Sequence, residues 1–253
     1  MTNKLKYFIG NWKMFGSFND FKIIKSINYY SRNSKKLSKN KKIVLCVPNT
    51  LIHFFKSKLK SKFISLGAQN CHHHYDYGPF TGSVNASMLK KAGAEYIILG
   101  HSENRLEGES NKTINKKITS SLNKNLNIIF CIGETLIEKR KNRTFQVLKK
   151  QILHSLNKKF NPNKILVAYE PVWSIGTSKI PKMNELENTV KFIKKELKIF
   201  FKEKKVPTVL YGGSVNSENI RLFSTISALD GFLIGGASQS SKKFIDIVKN
   251  YYN

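Results

Sequence analysis

The chain has 253 residues, 40% hydrophobic and 24% charged, which suits a folded protein with a large core and excludes a disordered one. The formal net charge is +28, yet the lysines are spread along the chain in small clusters at Lys35-Lys36, Lys39 to Lys42, Lys149-Lys150, Lys194-Lys195 and Lys202 to Lys205, with no basic tail or Arg-rich arm. The charge therefore reads as a Lys-rich exterior rather than a specific nucleic-acid or membrane site, the phosphate-rich partner being the alternative; a positive field also speeds encounter with an anionic substrate.

Short apolar runs recur, each followed by a polar amphipathic stretch. Strands are expected at Tyr7 to Gly10, Ile43 to Val47, Phe63 to Ala68, Glu95 to Leu99, Leu126 to Ile132, Ile165 to Tyr169, Thr208 to Tyr211 and Gly231 to Ile234. The intervening helices are expected at Phe18 to Tyr30, Thr50 to Leu59, Asn85 to Ala92, Asn111 to Asn123, Thr144 to Leu156, Asn184 to Phe201, Ser217 to Phe223 and Ser241 to Tyr251. Continuous apolar strands suit a parallel sheet buried on both faces. Eight βα units in this length suit an α/β fold, a single closed (β/α)8 TIM barrel of eight parallel strands. An open doubly wound sheet is the alternative, weakened because no GxGxxG follows the first strand. No linker or low-complexity tail interrupts residues 1–253, which read as one catalytic domain; Ser31 to Lys42 is the loosest-looking segment.

Cys46, Cys71 and Cys131 form no CxxC pair, and an odd number argues against a disulfide framework, so a reducing cytoplasm fits. The first residues lack a signal-peptide core, and no run approaches the ~18 apolar residues of a spanning helix.

In such a barrel the carboxyl ends of the strands share one mouth. The first strand delivers Asn11 and Lys13, the third Gln69 and Asn70, the fourth His101 and then Glu103, the sixth Glu170. Pro171 pushes Glu170 towards extended geometry, so Glu170 finishes a strand. The following loop has an apolar anchor, Trp173, and a mobile-looking tip, which together read either as a lid or as a plain αβ loop. The seventh and eighth strands end in Gly212-Gly213-Ser214 and Gly235-Gly236, where closely approaching N–H groups and helix starts suit a phosphate. A helix turn after His101 disfavours imidazolium, although a structural histidine and a solvated Lys13 are the plainer readings of each residue alone. A carboxylate base, an imidazole, an Asn, a Lys, a phosphate cradle and a lid together suit proton abstraction α to a carbonyl on a small phosphorylated sugar. No cofactor motif or metal cluster is visible, and His72-His73-His74 lacks the i, i+4 spacing of a helical zinc site.

GNWKM (10–14), GAQN (67–70), FTGSV (80–84), ILGHSENR (98–105), CIGET (131–135), AYEPVWSIGTSK (168–179), YGGSVN (211–216) and GGAS (235–238) together resemble the triosephosphate isomerase family, in that family's order. The resemblance implies a cofactor-independent isomerase of glycolysis and gluconeogenesis that interconverts dihydroxyacetone phosphate and D-glyceraldehyde 3-phosphate through an enediolate. It implies Glu170 as proton shuttle, His101, Lys13 and Asn11 as electrostatic partners with Glu103 beside Lys13, and Gly176, Ser214, Gly235 and Gly236 holding the phosphate. Val172, Trp173, Ser174, Ile175, Gly176, Thr177, Ser178 and Lys179 would form the closing lid; this family's lid and pKa tuning are familiar examples. It further implies a homodimer, with the loop from Cys71 to Gly82 inserted into the partner and Thr81, Gln69, Ser83 and Asn104 at the interface near the active site.

Three departures stand out. The family's Glu and Arg, paired across the interface, are here Ser83 and Asn104; losing both charges can be near neutral, whereas losing one strands the other. Ser178 replaces a glycine. Pro181 has no N–H for the tyrosine latch the family uses, so Tyr211 must bond elsewhere. A basic binding protein on the same barrel has no chemical need for the intact Asn11, Lys13, His101 and Glu170 set, and a related barrel enzyme for another phosphorylated ligand fits the full motif set less well.

Overall fold

The computed structural model describes residues 5–34, 40–202 and 205–252. Eight parallel strands close into a barrel in sequence order: β1 Lys6–Asn11, β2 Lys41–Cys46, β3 Ile64–Ala68, β4 Tyr96–Leu99, β5 Asn127–Ile132, β6 Ile165–Tyr169, β7 Thr208–Tyr211 and β8 Gly231–Ile234. Closure runs through β1 and β8, with Tyr7 opposite Gly231 and Gly10 opposite Ile234. The helices are α1 Phe21–Asn33, α2 Asn49–Lys58, α3 Ala86–Ala92, α4 Ser102–Leu106, α5 Asn111–Asn123, α6 Leu136–Arg140, α7 Thr144–Ser155, α8 Met183–Phe200, α9 Ile220–Phe223 and α10 Ser241–Tyr252.

The period-2 geometry of each strand sorts its residues between two cores. Ile9, Val44, Ile98, Ile129, Leu166, Leu210 and Leu233 fill the barrel interior. Phe8, Ile43, Leu66, Ile97, Phe130, Val167 and Phe232 point outward and pack against the helices. Burying each such Ile, Leu or Val contributes roughly 1.5–3 kcal/mol, and both faces of every strand are used.

The differences from the sequence expectation have local causes. α6 was not expected, although Thr135 and Glu138 form a reciprocal capping box at its start. α9 begins at Ile220 rather than at Ser217: Asn216 Oδ1 accepts the N–H groups of Glu218 and Asn219, so side chains occupy what would be the first helical turn. Part of the segment expected to be loose is ordered. Ser31 is buried within α1 and Lys41 starts β2, whereas residues 35–39 of that expectation lie outside the described residues. Lysine also enters the interior: Lys6 donates to the Leu229 carbonyl, and Lys194 pairs with Asp230 at 2.8 Å. Cys46, Cys71 and Cys131 are free and buried. Among the described residues no helix is long and apolar enough to cross a membrane.

Candidate active site

The inward register of the strands continues past their ends and carries specific side chains into the mouth. Ile9 faces inward, so Asn11 follows it; Leu166 and Ala168 face inward, so Glu170 follows them. By the same count Gly212 follows Leu210 and Gly235 follows Leu233. His101 is out of step, because Ile98 is inward and the register would present residue 100. Gly100 resolves this with φ +72°, a left-handed turn that brings the next residue into the mouth. A side chain at 100 would also press on Arg105, whose guanidinium donates to the Gly100 and Cys131 carbonyls at 2.7 and 3.1 Å.

Asn11, Lys13, His101, Glu170, Gly176, Ser178, Ser214, Gly235 and Gly236 line one cavity of ≈ 440 Å³. Lys13 holds a left-handed φ of 55°, its N–H donating to Asn11 Oδ1 at 3.0 Å. Such a conformation in a non-glycine residue is a small store of strain of the kind found at functional sites. Gln69 braces that loop, donating to the Lys13 carbonyl at 2.9 Å.

Glu170 is buried, and its Oε1 stands 3.4 Å from His101 Nε2. Burial raises the Glu170 carboxyl above its ordinary value; His101, the Cys131 thiol and Lys13 oppose that shift, and Glu103 adds to it. Glu170 Oε2 has no hydrogen-bond partner among the described residues. The N–H of Glu103 points at His101 Nδ1 at 3.3 Å. Nδ1 is therefore an acceptor, and the ring proton sits on Nε2, facing Glu170. The Glu103 carboxylate itself holds Lys13 Nζ at 2.5 Å on the exposed side of the mouth.

Opposite the carboxylate lie the glycine-rich turns. A β-carbon on Gly212 would stand 2.6 Å from Glu170 Cγ, so only glycine lets the base pack there. Gly236 has open space around it, and it opens a 3-10 helix, Gly236–Gln239, whose first N–H groups have no intrahelical acceptors. Asn216, Ser217 and the cation Lys243 also line this end of the cavity. Lys243 was not anticipated: it sits in the first turn of α10, which follows the Gly235 loop, and its side chain reaches the cavity from there.

The segment after Glu170 starts as a 3-10 turn, Val172–Ser174. Trp173 Nε1 donates to Glu134 at 2.9 Å, Lys139 Nζ sits over the Trp173 ring 3.9 Å from its centroid, and Tyr169 donates to the same Glu134 carboxylate at 3.2 Å. Burial raises the Glu134 carboxyl, while the bonds from Trp173 and Tyr169 pull it back. Gly176 and Ser178 at the tip both have positive φ, 69° and 61°. For Ser178 that costs roughly 1–2 kcal/mol, the penalty the glycine-to-serine change implied. Thr177 Oγ1 donates to the Trp173 carbonyl at 3.1 Å and accepts from the Lys179 N–H at 3.3 Å, folding the tip on itself. Tyr211 bonds to the Ser174 hydroxyl at 3.0 Å.

Thr81 is exposed on the loop between β3 and α3 and does not line the cavity. Ser83 and Asn104 line a separate groove together. Glu103, Gln69 and Asn104 share a third groove with Lys13 and His101. Among the described residues no group of three or more His, Cys, Asp or Glu is arranged to hold a metal ion, so the His72-His73-His74 run makes none.

The triosephosphate isomerase family model matches residues 6–251. The chain is 38% identical over 254 residues to the triosephosphate isomerase of Dictyoglomus thermophilum, covering 97% of this chain and 99% of that one. It is 35% identical over 257 residues to that of Dictyostelium discoideum, covering 99% and 98%. The crystal structure of triosephosphate isomerase from Bartonella henselae superposes with a TM-score of 0.87 at 34% identity, covering 98% of this chain and 99% of that one. With the inward-facing Glu170 and His101 and near full-length matches of sequence and fold, the chain belongs to the triosephosphate isomerase family.

Proposed function

We propose that this single catalytic domain interconverts dihydroxyacetone phosphate and D-glyceraldehyde 3-phosphate with Glu170 as the base. The observation that carries the assignment of roles is the Glu170–His101 pair, 3.4 Å apart, in a cavity whose other side is formed by the loops after β7 and β8. The Glu170 carboxylate takes a proton from the carbon beside the carbonyl. His101, through Nε2–H, and Lys13 and Asn11 stabilise the oxyanion as it develops. Glu170 then returns the proton to the neighbouring carbon. Burial makes its carboxylate a stronger base than an exposed one. Glu103 acts through Lys13, which it holds over the mouth.

The phosphate is bound by the N–H groups of Gly176, Ser214, Gly235 and Gly236, and residues 172–179 close over it. Met14, 94% exposed, lines the groove shared by Lys13, Gln69 and Asn104, and its chain neighbour Phe15 is 58% exposed. Such exposed apolar side chains beside a catalytic mouth support a homodimer in which the loop carrying Thr81 docks there. Ser83 and Asn104 form a neutral pair in that contact. The three reduced, buried cysteines are consistent with a cytoplasmic setting.

A coupled assay of triose phosphate interconversion, comparing wild type with Glu170→Asp, tests the reading. Shortening the side chain by one methylene withdraws the carboxylate while keeping its charge, and turnover is expected to fall by about 10²-fold or more. Unchanged turnover would remove Glu170 from the mechanism. Sedimentation of the purified protein tests the dimer.

A further inference from the structure

Pro181 lies two residues beyond the lid and has no N–H to offer Tyr211. The Tyr211 hydroxyl is nonetheless buried and bonded, and its partner is a side chain of the lid itself. Ser174 has no solvent exposure, and its hydroxyl meets three groups: the Lys179 carbonyl at 2.6 Å, the Tyr211 hydroxyl at 3.0 Å and the Ser214 N–H at 3.4 Å. The one serine proton goes to the Lys179 carbonyl, which can only accept. Tyr211 O–H and Ser214 N–H therefore both donate to Ser174 Oγ, and every valence of that oxygen is used. One buried atom thus joins the entry of the lid, its exit, strand β7 and the loop proposed to hold phosphate. Gly213 makes room for it, since a β-carbon there would strike both the Tyr211 and the Ser174 hydroxyls. A hydroxyl in a site without solvent is costly unless fully bonded, and alanine would fill nearly the same space.

We propose that Ser174 is a positioning residue of the isomerase: its hydroxyl ties the lid's exit at Lys179 to Tyr211, holds the lid's two ends at a fixed span, and orients the Ser214 N–H beside the phosphate site. It supplies the anchorage for Tyr211 that a proline at position 181 cannot. The proposal rests on the reading of residues 172–179 as a lid. A loosened lid leaves the enediolate open to a side reaction. Its C1 oxyanion re-forms a carbonyl, the double bond moves to C2–C3, the C3–O bond breaks, and inorganic phosphate leaves with the electron pair. The remaining enol takes a proton from water at C3 and loses its hydroxyl proton to give methylglyoxal.

The test compares Ser174→Ala, Tyr211→Phe and the double variant, measuring kcat, KM and the fraction of turnovers that release phosphate. Each single change is expected to lower kcat/KM about tenfold, the weight of one buried hydrogen bond, and to raise phosphate release. The double variant should be no worse than the poorer single one, because both remove the same bond. Tyr211→Phe leaves the lid sequence untouched, so it reads the bond even if Ser174→Ala fails to fold. Effects that multiply in the double variant, or Tyr211→Phe with wild-type phosphate release, overturn the proposal. Deletion of residues 175–178 separates the two levels. If isomerisation persists and phosphate release does not rise, the lid reading itself falls; if release rises in the deletion but not in Ser174→Ala or Tyr211→Phe, only the Ser174 role falls.

Discussion

Glu103 contacts His101 and Lys13 through different atoms. Its main-chain N–H fixes His101 Nδ1 as an acceptor at 3.3 Å, and its carboxylate holds Lys13 at 2.5 Å. Side-chain replacement keeps the main-chain contact and loses both carboxylate contacts, the one to Lys13 and the 3.6 Å approach to His101 Nδ1. Glu103→Gln is expected to lower kcat about tenfold through a misplaced Lys13, a fraction of what a full electrostatic partner contributes. Stability should stay within about 1 kcal/mol, since the pair is solvent-screened with side-chain exposures of 26% and 54%. Steady-state kinetics and a thermal melt on one preparation check both parts.

Gly212→Ala places a methyl group 2.6 Å from Glu170 Cγ. Overpacking of this kind costs about 1–3 kcal/mol, and displacement of a reacting group by about 1 Å costs up to ~10²-fold in rate. The expected outcome is a folded protein with kcat lowered on that order and KM little changed. A rise in KM alone would mean that the methyl group disturbs the phosphate end instead.

Glu170→Gln separates chemistry from stability. Turnover should fall by about 10²–10⁴-fold, the usual weight of a general base. Burial raises the Glu170 carboxyl in the folded state. Between the ordinary carboxylate value and the raised one, the folded protein keeps a proton that the unfolded chain has released. Stability therefore falls as pH rises through that window and stays lower above it. Glutamine removes the cost of the buried charge, so the variant should melt higher than wild type at neutral pH, and the difference should vanish below about pH 4, where the ordinary glutamate value lies. In wild type, kcat/KM should fall on the acid side through the raised value, with the carboxylate as the active form. Equal melting curves at neutral pH would contradict this.

Lys243→Ala is expected to raise KM for triose phosphate a few-fold and leave kcat unchanged. Lys243 lines the end of the cavity proposed to hold the phosphate but is exposed, so it adds attraction without a fixed bond. The difference from wild type should shrink as salt is added, and a salt-independent difference would point to a direct contact.

The eight strands were legible because each is an apolar run between polar helical stretches; β6, β7 and β8 have the bounds the sequence indicates. Glu170 and Asn11 were legible for a related reason, since counting in twos from a buried strand residue reaches both. His101 follows no such count, and it enters the mouth through the left-handed turn at Gly100. Ser174 was read only as one residue of the lid, because its partner Tyr211 lies 37 residues further along the chain. Lys243 was hidden among so many lysines that only its place over the mouth distinguishes it. What the sequence withheld was the turn that brings His101 into the mouth and the distant groups that Ser174 and Lys243 meet.

The interior cysteines make the barrel a timer of its own opening. Cys46 ends β2, Cys131 lies in β5, and both sit in the interior layer with their thiols pushed up by burial; Cys71, buried on the loop after β3, is raised to about 11. Only the thiolate reacts with alkylating reagents, so the native protein should be inert to them at neutral pH. Labelling then reports how readily each site opens, and mass spectrometry of the three peptides would rank β2, β5 and the loop after β3 by how readily they do so.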